Sequence, residues 1–297
     1  MTSKFLRSLV GTTALATLLA ATSTAAAQDS DDRTITLGQV GLSFYAVVGG
    51  VVQELLERQG YAVEVVEGPH SEIFPQLGAG EVDLLAAAWL PSGHSALYEP
   101  VRDVTFELAP IYENAAFFWV VPAYVPEEDV ASIADLTKPE VAERMPDRIV
   151  SLPEATGLTA GGRRVMEAYG LEDAGYELVA APPAEWLGAF RDAIEAEAWV
   201  VFPLWQPQWV NAVYDIRALA EPQNAYGDPD TAYLIGHETL PAKLDEATLR
   251  LLSTIRFEVD DVTEMDRLMN VEGMSARDAA RSWMEANPED VEAWSTS

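Results

Sequence analysis

The sequence predicts an α/β protein of two lobes, each a mostly parallel sheet flanked by helices, with a ligand site in the cleft between them. Three observations carry this expectation. Strand, helix, strand, helix and strand patterns succeed one another across 34–88, the signature of parallel strands joined by helical crossovers. Beyond a leader of 27 residues the chain still has 270, more than one ordinary domain holds. Two stretches rich in proline and glycine, one at Pro122 and Pro126 and one at 218–229 with Pro222, Gly227 and Pro229, suit two crossings between lobes. The expected organisation is a leader at 1–27, a first lobe at 33–121 plus 228–297, and a second lobe at 122–227.

Taken in order, Thr34-Ile35-Thr36-Leu37-Gly38-Gln39-Val40 alternates and reads as the first strand. Ser43 is placed to cap a helix whose apolar residues Val47, Val48, Val51, Val52, Leu55 and Leu56 share one face, and Gly60 stops it. A second strand is read at 61–66, a helix at 71–77 and a third strand at 82–88. Ligands of such sheets sit beyond the carboxyl ends of the strands, which draws attention to 42–45 and to Trp89. A strand at 115–121 carries Phe117, Phe118 and Trp119 into the first crossing. The second lobe is expected to hold strands near 148–152, 176–180 and 198–202, with helices near 159–169 and 184–196. The remainder reads as helix at 245–255, 263–269 and 275–286, the last ended by Asn287-Pro288.

Two apolar runs lead into tryptophan and proline. One is Leu84-Leu85-Ala86-Ala87-Ala88-Trp89-Leu90-Pro91; the other is Trp199-Val200-Val201 followed by Phe202-Pro203-Leu204-Trp205-Gln206-Pro207-Gln208-Trp209. Prolines stiffen the backbone and remove donors. Rigid backbone presenting flat rings suits an apolar cation. A quaternary ammonium has no N–H to donate, so ring faces select it through their quadrupole. Each desolvated contact contributes about 1–2 kcal/mol, and three rings suffice for micromolar binding once ordering costs are subtracted. Two strand ends that each offer an indole suggest two walls of one cleft.

These stretches carry a resemblance. Gly80-Glu81-Val82-Asp83 running into Trp89-Leu90-Pro91-Ser92-Gly93-His94, then Tyr112-Glu113-Asn114-Ala115, then Trp205-Gln206-Pro207-Gln208-Trp209, then 279–288, follow in order over nearly the whole chain beyond the leader. In this the chain resembles the periplasmic substrate-binding proteins of glycine betaine, proline betaine and choline ABC importers, of the type II-like two-lobed fold. The resemblance implies an aromatic box with Trp89, Trp205 and Phe117 on box positions. A further aromatic is implied just after the first strand, where Phe44 and Tyr45 are the alternatives. It implies that a ligand carboxylate would be received by Thr156 and Gly157 ahead of a helix and by His94. Glu154 departs from the family pattern. Facing the cleft it would repel a carboxylate and favour a ligand without one; facing solvent it would do neither. Trp209 reads as structural.

Composition bounds the rest. Lys4 and Arg7, then a short apolar run and Ala25-Ala26-Ala27, read as a secretory signal cut after Ala27, and no later segment is long and apolar enough to span a bilayer. The address expected is the periplasm. The chain has no cysteine, which removes disulfides, thiol catalysis and a lipid-modified N-terminal cysteine. Its net charge is −30, and with the two leader cations removed the remainder carries −32, which repels nucleic acid and anionic membranes. An enzyme is not expected. His70, His94 and His237 lack metal-ligand spacing, and there is neither a Gly-x-Ser-x-Gly elbow nor a phosphate-cradling Gly-Lys-Ser loop. The function expected is capture of a small methylated onium solute, glycine betaine-like, for delivery to an importer permease, with neither metal nor cofactor. Choline, trimethylamine N-oxide or dimethylsulfoniopropionate as ligand, or a sensing subunit for a membrane receptor, are the alternatives.

Overall fold

Residues 33–296 are described by a computed structural model; the expected leader at 1–27 lies outside them. The chain opens with β1 (Thr34–Val40), α1 (Ser43–Arg58), β2 (Ala62–Gly68), α2 (His70–Gly78), β3 (Leu84–Leu90) and the short α3 (Ser95–Tyr98). The apolar face read on α1 is the buried one, with Val47, Val48, Val51, Val52 and Leu56 fully enclosed. The cap expected from Ser43 is different. Leu42 takes the N-cap position in extended backbone, and Ser43 is the first helical residue, its hydroxyl given to Asp266.

β1 pairs in parallel with β2 and with β3, as the crossover pattern requires. The sheet then departs from the mostly parallel expectation. β9 (Asp230–His237) inserts between β3 and the long β4 (Thr105–Pro122), antiparallel to both. The order is β2-β1-β3-β9-β4-β7, where β7 is Phe202–Gln206, with β8 (Ile216–Ala218) also on β4, a seven-stranded mixed sheet. β9 follows Gly227-Asp228-Pro229 directly. That punctuation masks a short strand whose alternation, Ala232, Leu234 and then Ile235 inward, is brief.

β4 changes partners along its length. It pairs with β9 up to Ala115 opposite Asp230, and from Ala116 to Val120 with β7 (Phe202–Gln206). The changeover lies beside Asn114, whose φ of 62° is left-handed. β7 begins where the expected strand at 198–202 was to stop, and it contains Pro203. It ends the strand order, so one of its edges makes no ladder and a residue without an N–H is tolerated there.

Between β4 and β9 come α4 (Pro139–Ala142), β5 (Arg148–Ser151), α5 (Gly157–Ala168), β6 (Glu177–Ala180), α6 (Pro183–Glu195) and α7 (Val210–Val213), with β5 and β6 a separate parallel pair. One apolar cluster, built around Trp119, Ile149, Val165, Leu171 and Val201, is drawn wholly from residues 119–226. A larger cluster joins α1 to the main sheet and to the helices after β9. These are α8 (Leu240–Lys243), α9 (Glu246–Thr254), α10 (Val259–Glu272), α11 (Ala276–Ala286) and α12 (Pro288–Thr296). Asn287-Pro288 ends α11 as expected, but Pro288 also opens α12, since its missing N–H is one that a first helical turn leaves unused.

Candidate functional site

The carboxyl ends of the three parallel strands meet at one place. Leu42, Phe44 and Tyr45 follow β1, His70 follows β2, and Trp89 closes β3. With Phe117 from β4, Trp205 from β7 and Thr156-Gly157-Leu158 at the head of α5 they border a half-open cavity of about 30 Å³. Trp89 is its centre, with ring centroids 5.6 Å from Phe44, 6.0 Å from Tyr45 and 5.3 Å from Phe117. Phe117 and Trp205 are direct partners across β4 and β7, which sets their side chains next to each other on one face of the pair. Trp205 stacks on Trp186 at 5.0 Å and stands 5.8 Å from Phe44. No Asp, Glu, Lys or Arg lines this cavity. Its attraction for a cation is therefore that of ring faces.

Polar groups behind the rings hold them. The Trp89 indole N–H donates to the Tyr112 hydroxyl at 2.8 Å, and both side chains are buried. The Trp89 backbone N–H donates to His94 Nδ1 at 2.8 Å, which places the proton of a neutral His94 ring on Nε2. Asp266, on α10, accepts from the Trp209 backbone N–H at 2.8 Å, from the Asn270 side chain at 2.8 Å and from the Ser43 hydroxyl. One carboxylate thus ties the segment bearing Trp205 to the helix bearing Phe44 and Tyr45. Burial raises its pKa to about 6 against those bonds. Asp230 accepts from the backbone of Ser92 and Gly93 at 2.7 and 2.8 Å, fixing the loop between Trp89 and His94, and burial raises its pKa too.

The His70 and His94 rings lie 4.3 Å apart on the cavity wall. Burial lowers the pKa of His70 to about 4, and burial and then the neighbouring His70 hold His94 well below the usual histidine range. Both rings are neutral at pH 7. His70 Nε2 and Trp205 Nε1 are buried with no hydrogen-bond partner among the described residues. Past His70, His94, Phe117 and Gly157 the cavity adjoins a wider cleft of about 500 Å³, bordered by Arg164, Tyr226, Asp228 and Asp230.

Of the residues singled out in the sequence, Phe44, Tyr45, Trp89, His94, Phe117, Thr156, Gly157 and Trp205 border the cavity, and both Phe44 and Tyr45 do so. Thr156 caps α5, its hydroxyl accepting from the Thr159 N–H. Glu154 is not among the lining residues. Its side chain is exposed and paired with Arg163, whose guanidinium holds the carboxyl below its usual pKa. Trp209 is buried outside the cavity. The sequence reading missed His70, Leu152 and Leu158 as lining. His70 had a signal: Gly68-Pro69 ends a parallel strand immediately before it. Tyr112 lies in one of the segments that carry the resemblance, though its role behind Trp89 was not read there; Asp230 and Asp266 act from elements far away in the chain and gave no signal. Among the described residues no group of His, Asp or Glu is arranged to hold a metal ion, and no helix is long and apolar enough to cross a membrane.

The architecture is that of the two-lobed binding proteins. Lactococcal OpuAC, solved closed with glycine betaine, superposes with a TM-score of 0.77 at 22% identity, over 89% of this chain and 99% of that one. The glycine betaine/L-proline-binding protein ProX of Borrelia burgdorferi gives 0.77 at 23% identity over 88% and 96%, and a choline-binding protein in complex with choline gives 0.73 at 18% over 89% and 91%. Residues 33–286 match the family described as the substrate binding domain of ABC-type glycine betaine transport systems, and the chain belongs to that family. It is a family of binding proteins rather than enzymes. A curated relative, the glycine betaine/carnitine transport binding protein GbuC of Listeria monocytogenes, is 22% identical over 157 residues. The match spans 53% of this chain and about half, 52%, of that relative.

Proposed function

We propose that the protein captures a small methylated onium solute, glycine betaine-like, in the ring cavity and delivers it to the permease of an ABC importer. The observation that carries this reading is a wall of Phe44, Tyr45, Trp89, Phe117 and Trp205 with no formally charged side chain among the residues lining it. Such a wall attracts a cation that needs no hydrogen-bond acceptor, and each desolvated face contributes about 1–2 kcal/mol. Family membership and the ligands of the relatives, glycine betaine among them, point the same way. The first turn of α5, opened by Gly157, offers backbone N–H groups to a carboxylate, and His94 Nε2 is a further donor.

Residues 33–121 with 228–297, and 122–227, serve as two lobes that close over the ligand. The apolar cluster confined to 119–226 gives the second lobe a core of its own. The crossings near Pro122 and near Gly227, whose φ is 90°, act as hinges. The leader at 1–27 exports the chain to the periplasm. A thermal-shift screen against glycine betaine, choline, carnitine, proline betaine, trimethylamine N-oxide and dimethylsulfoniopropionate tests the reading. At least one raises the melting temperature; no shift with any at millimolar concentration would sink it.

A further inference from the structure

We infer that the ligand entering the ring cavity carries an acceptor oxygen that receives the Trp205 indole N–H, so that the box selects oxygen-bearing onium ligands over fully alkylated ones. The inference rests on the onium reading above and names a chemical requirement which that reading leaves open.

The indoles around the site differ in one respect. Trp89 Nε1 donates to Tyr112 at 2.8 Å, Trp119 Nε1 to the Tyr226 hydroxyl at 2.7 Å, and Trp186 Nε1 to the Pro203 carbonyl at 3.1 Å. Trp205, only 4% exposed and lining the cavity, has its Nε1 buried with no acceptor among the described residues. A buried donor left unmade is costly, and native proteins almost always satisfy one. The neighbours of the ring do not supply an acceptor. Trp186 stacks along it and Phe44 stands opposite, both offering carbon surfaces. An indole nitrogen has no other role than to donate. Trp205 lines the cavity, so a ligand that enters there can bring the acceptor. His70 Nε2, the other unpartnered nitrogen on this wall, donates or accepts according to tautomer, so by itself it selects nothing.

The consequence is a discrimination that ring faces alone cannot make. A site with a buried donor rejects an analogue that leaves it unpaired far more strongly than an apolar pocket rejects a change of size. Two ligand pairs differ only by oxygen in place of methyl: trimethylamine N-oxide against tetramethylammonium, and choline against n-propyltrimethylammonium. By calorimetry the oxygen-bearing member of a pair binds at least about tenfold tighter, even though tetramethylammonium carries the fuller positive charge. Trp205→Phe keeps a ring face and removes the donor, and it brings the ratio to within about twofold. In 1H–15N spectra, the indole resonance absent from Trp205→Phe moves downfield with the oxygen-bearing ligand and not with its alkyl counterpart. Equal affinities within both pairs, or a ratio that survives in Trp205→Phe, or an unmoved indole resonance, would overturn the inference while leaving onium binding intact. Failure of all four compounds and of glycine betaine to bind would overturn the onium reading and the inference with it.

Discussion

Gly157 separates the binding wall from the scaffold. A Cβ built at this position would lie 2.9 Å from Phe117 Cζ and 3.0 Å from its Cε2, closer than side chains tolerate. In Gly157→Ala the ring must give way by several tenths of an ångström, and it is packed on Trp89 with centroids 5.3 Å apart. Gly157 sits in the first turn of α5, where alanine is the better helix former by up to ~1 kcal/mol. Stability is therefore held or slightly raised while one wall of the box is displaced. A ring face contributes about 1–2 kcal/mol, so partial displacement weakens onium binding by about 1 kcal/mol, near fivefold. Gly188→Ala is the control. Its Cβ would meet nothing within 4 Å on α6, so it gains helix propensity and leaves affinity alone. Calorimetry with a ligand from the thermal-shift screen, paired with thermal melts, reads both quantities. Unchanged affinity in Gly157→Ala would remove Phe117 from the binding wall. A large fall in melting temperature would show that the substitution damages the scaffold instead.

Glu154→Gln is expected to leave the ratio of glycine betaine to choline affinities unchanged, because the carboxylate is exposed on Arg163 and off the cavity wall; a ratio shifted toward glycine betaine would place it in the cleft. Asp266→Asn tests the buried tie behind the rings: the carboxyl has an ordinary pKa of 3.8 and a folded one of about 6, so its charged form destabilises the fold at neutral pH and the protonated form does not. The unfolding free energy of wild type should accordingly gain on that of Asp266→Asn by on the order of 2–3 kcal/mol as pH falls from 7 to 4, and a pH-independent difference would refute the assignment.

The α/β class, the first five elements and the parallel core of the sheet were legible because burial on both faces leaves apolar runs and amphipathic helices of distinct period. The antiparallel half was not. β9 is short and sits behind Gly227-Asp228-Pro229, which reads as a loop. β7 contains Pro203, which argues against a strand unless the strand is known to lie at an edge, and that is a fact of topology rather than of local sequence. The offset mattered for the site. With β7 starting at Phe202, Trp205 stands opposite Phe117 within the ladder, so these two rings share one face of the β4–β7 pair.

The site divides along the same line. Rings next to prolines at strand ends are visible because composition and position coincide in a few residues. What fixes those rings is spread over the chain: Tyr112 lies 23 residues from Trp89, Asp230 lies 138 from Ser92, and Asp266 lies 57 from Trp209. Tyr112 falls in a segment that carries the family resemblance, but Asp230 and Asp266 have no periodicity or motif of their own, since a single buried carboxylate needs only donors brought to it by the fold. Their energetic role is nevertheless different in kind. A ring face attracts a cation wherever it is, but a mobile ring must be ordered on binding, at about 0.5–1.5 kcal/mol for each side chain immobilised. For five rings that cost rivals the cation–π gain itself. Hydrogen bonds to Trp89, to the Ser92-Gly93 loop and to the backbone at Trp209 meet it during folding, before any ligand arrives. The aromatic pattern thus tells what the cavity attracts, and the long-range polar contacts decide whether attraction becomes affinity.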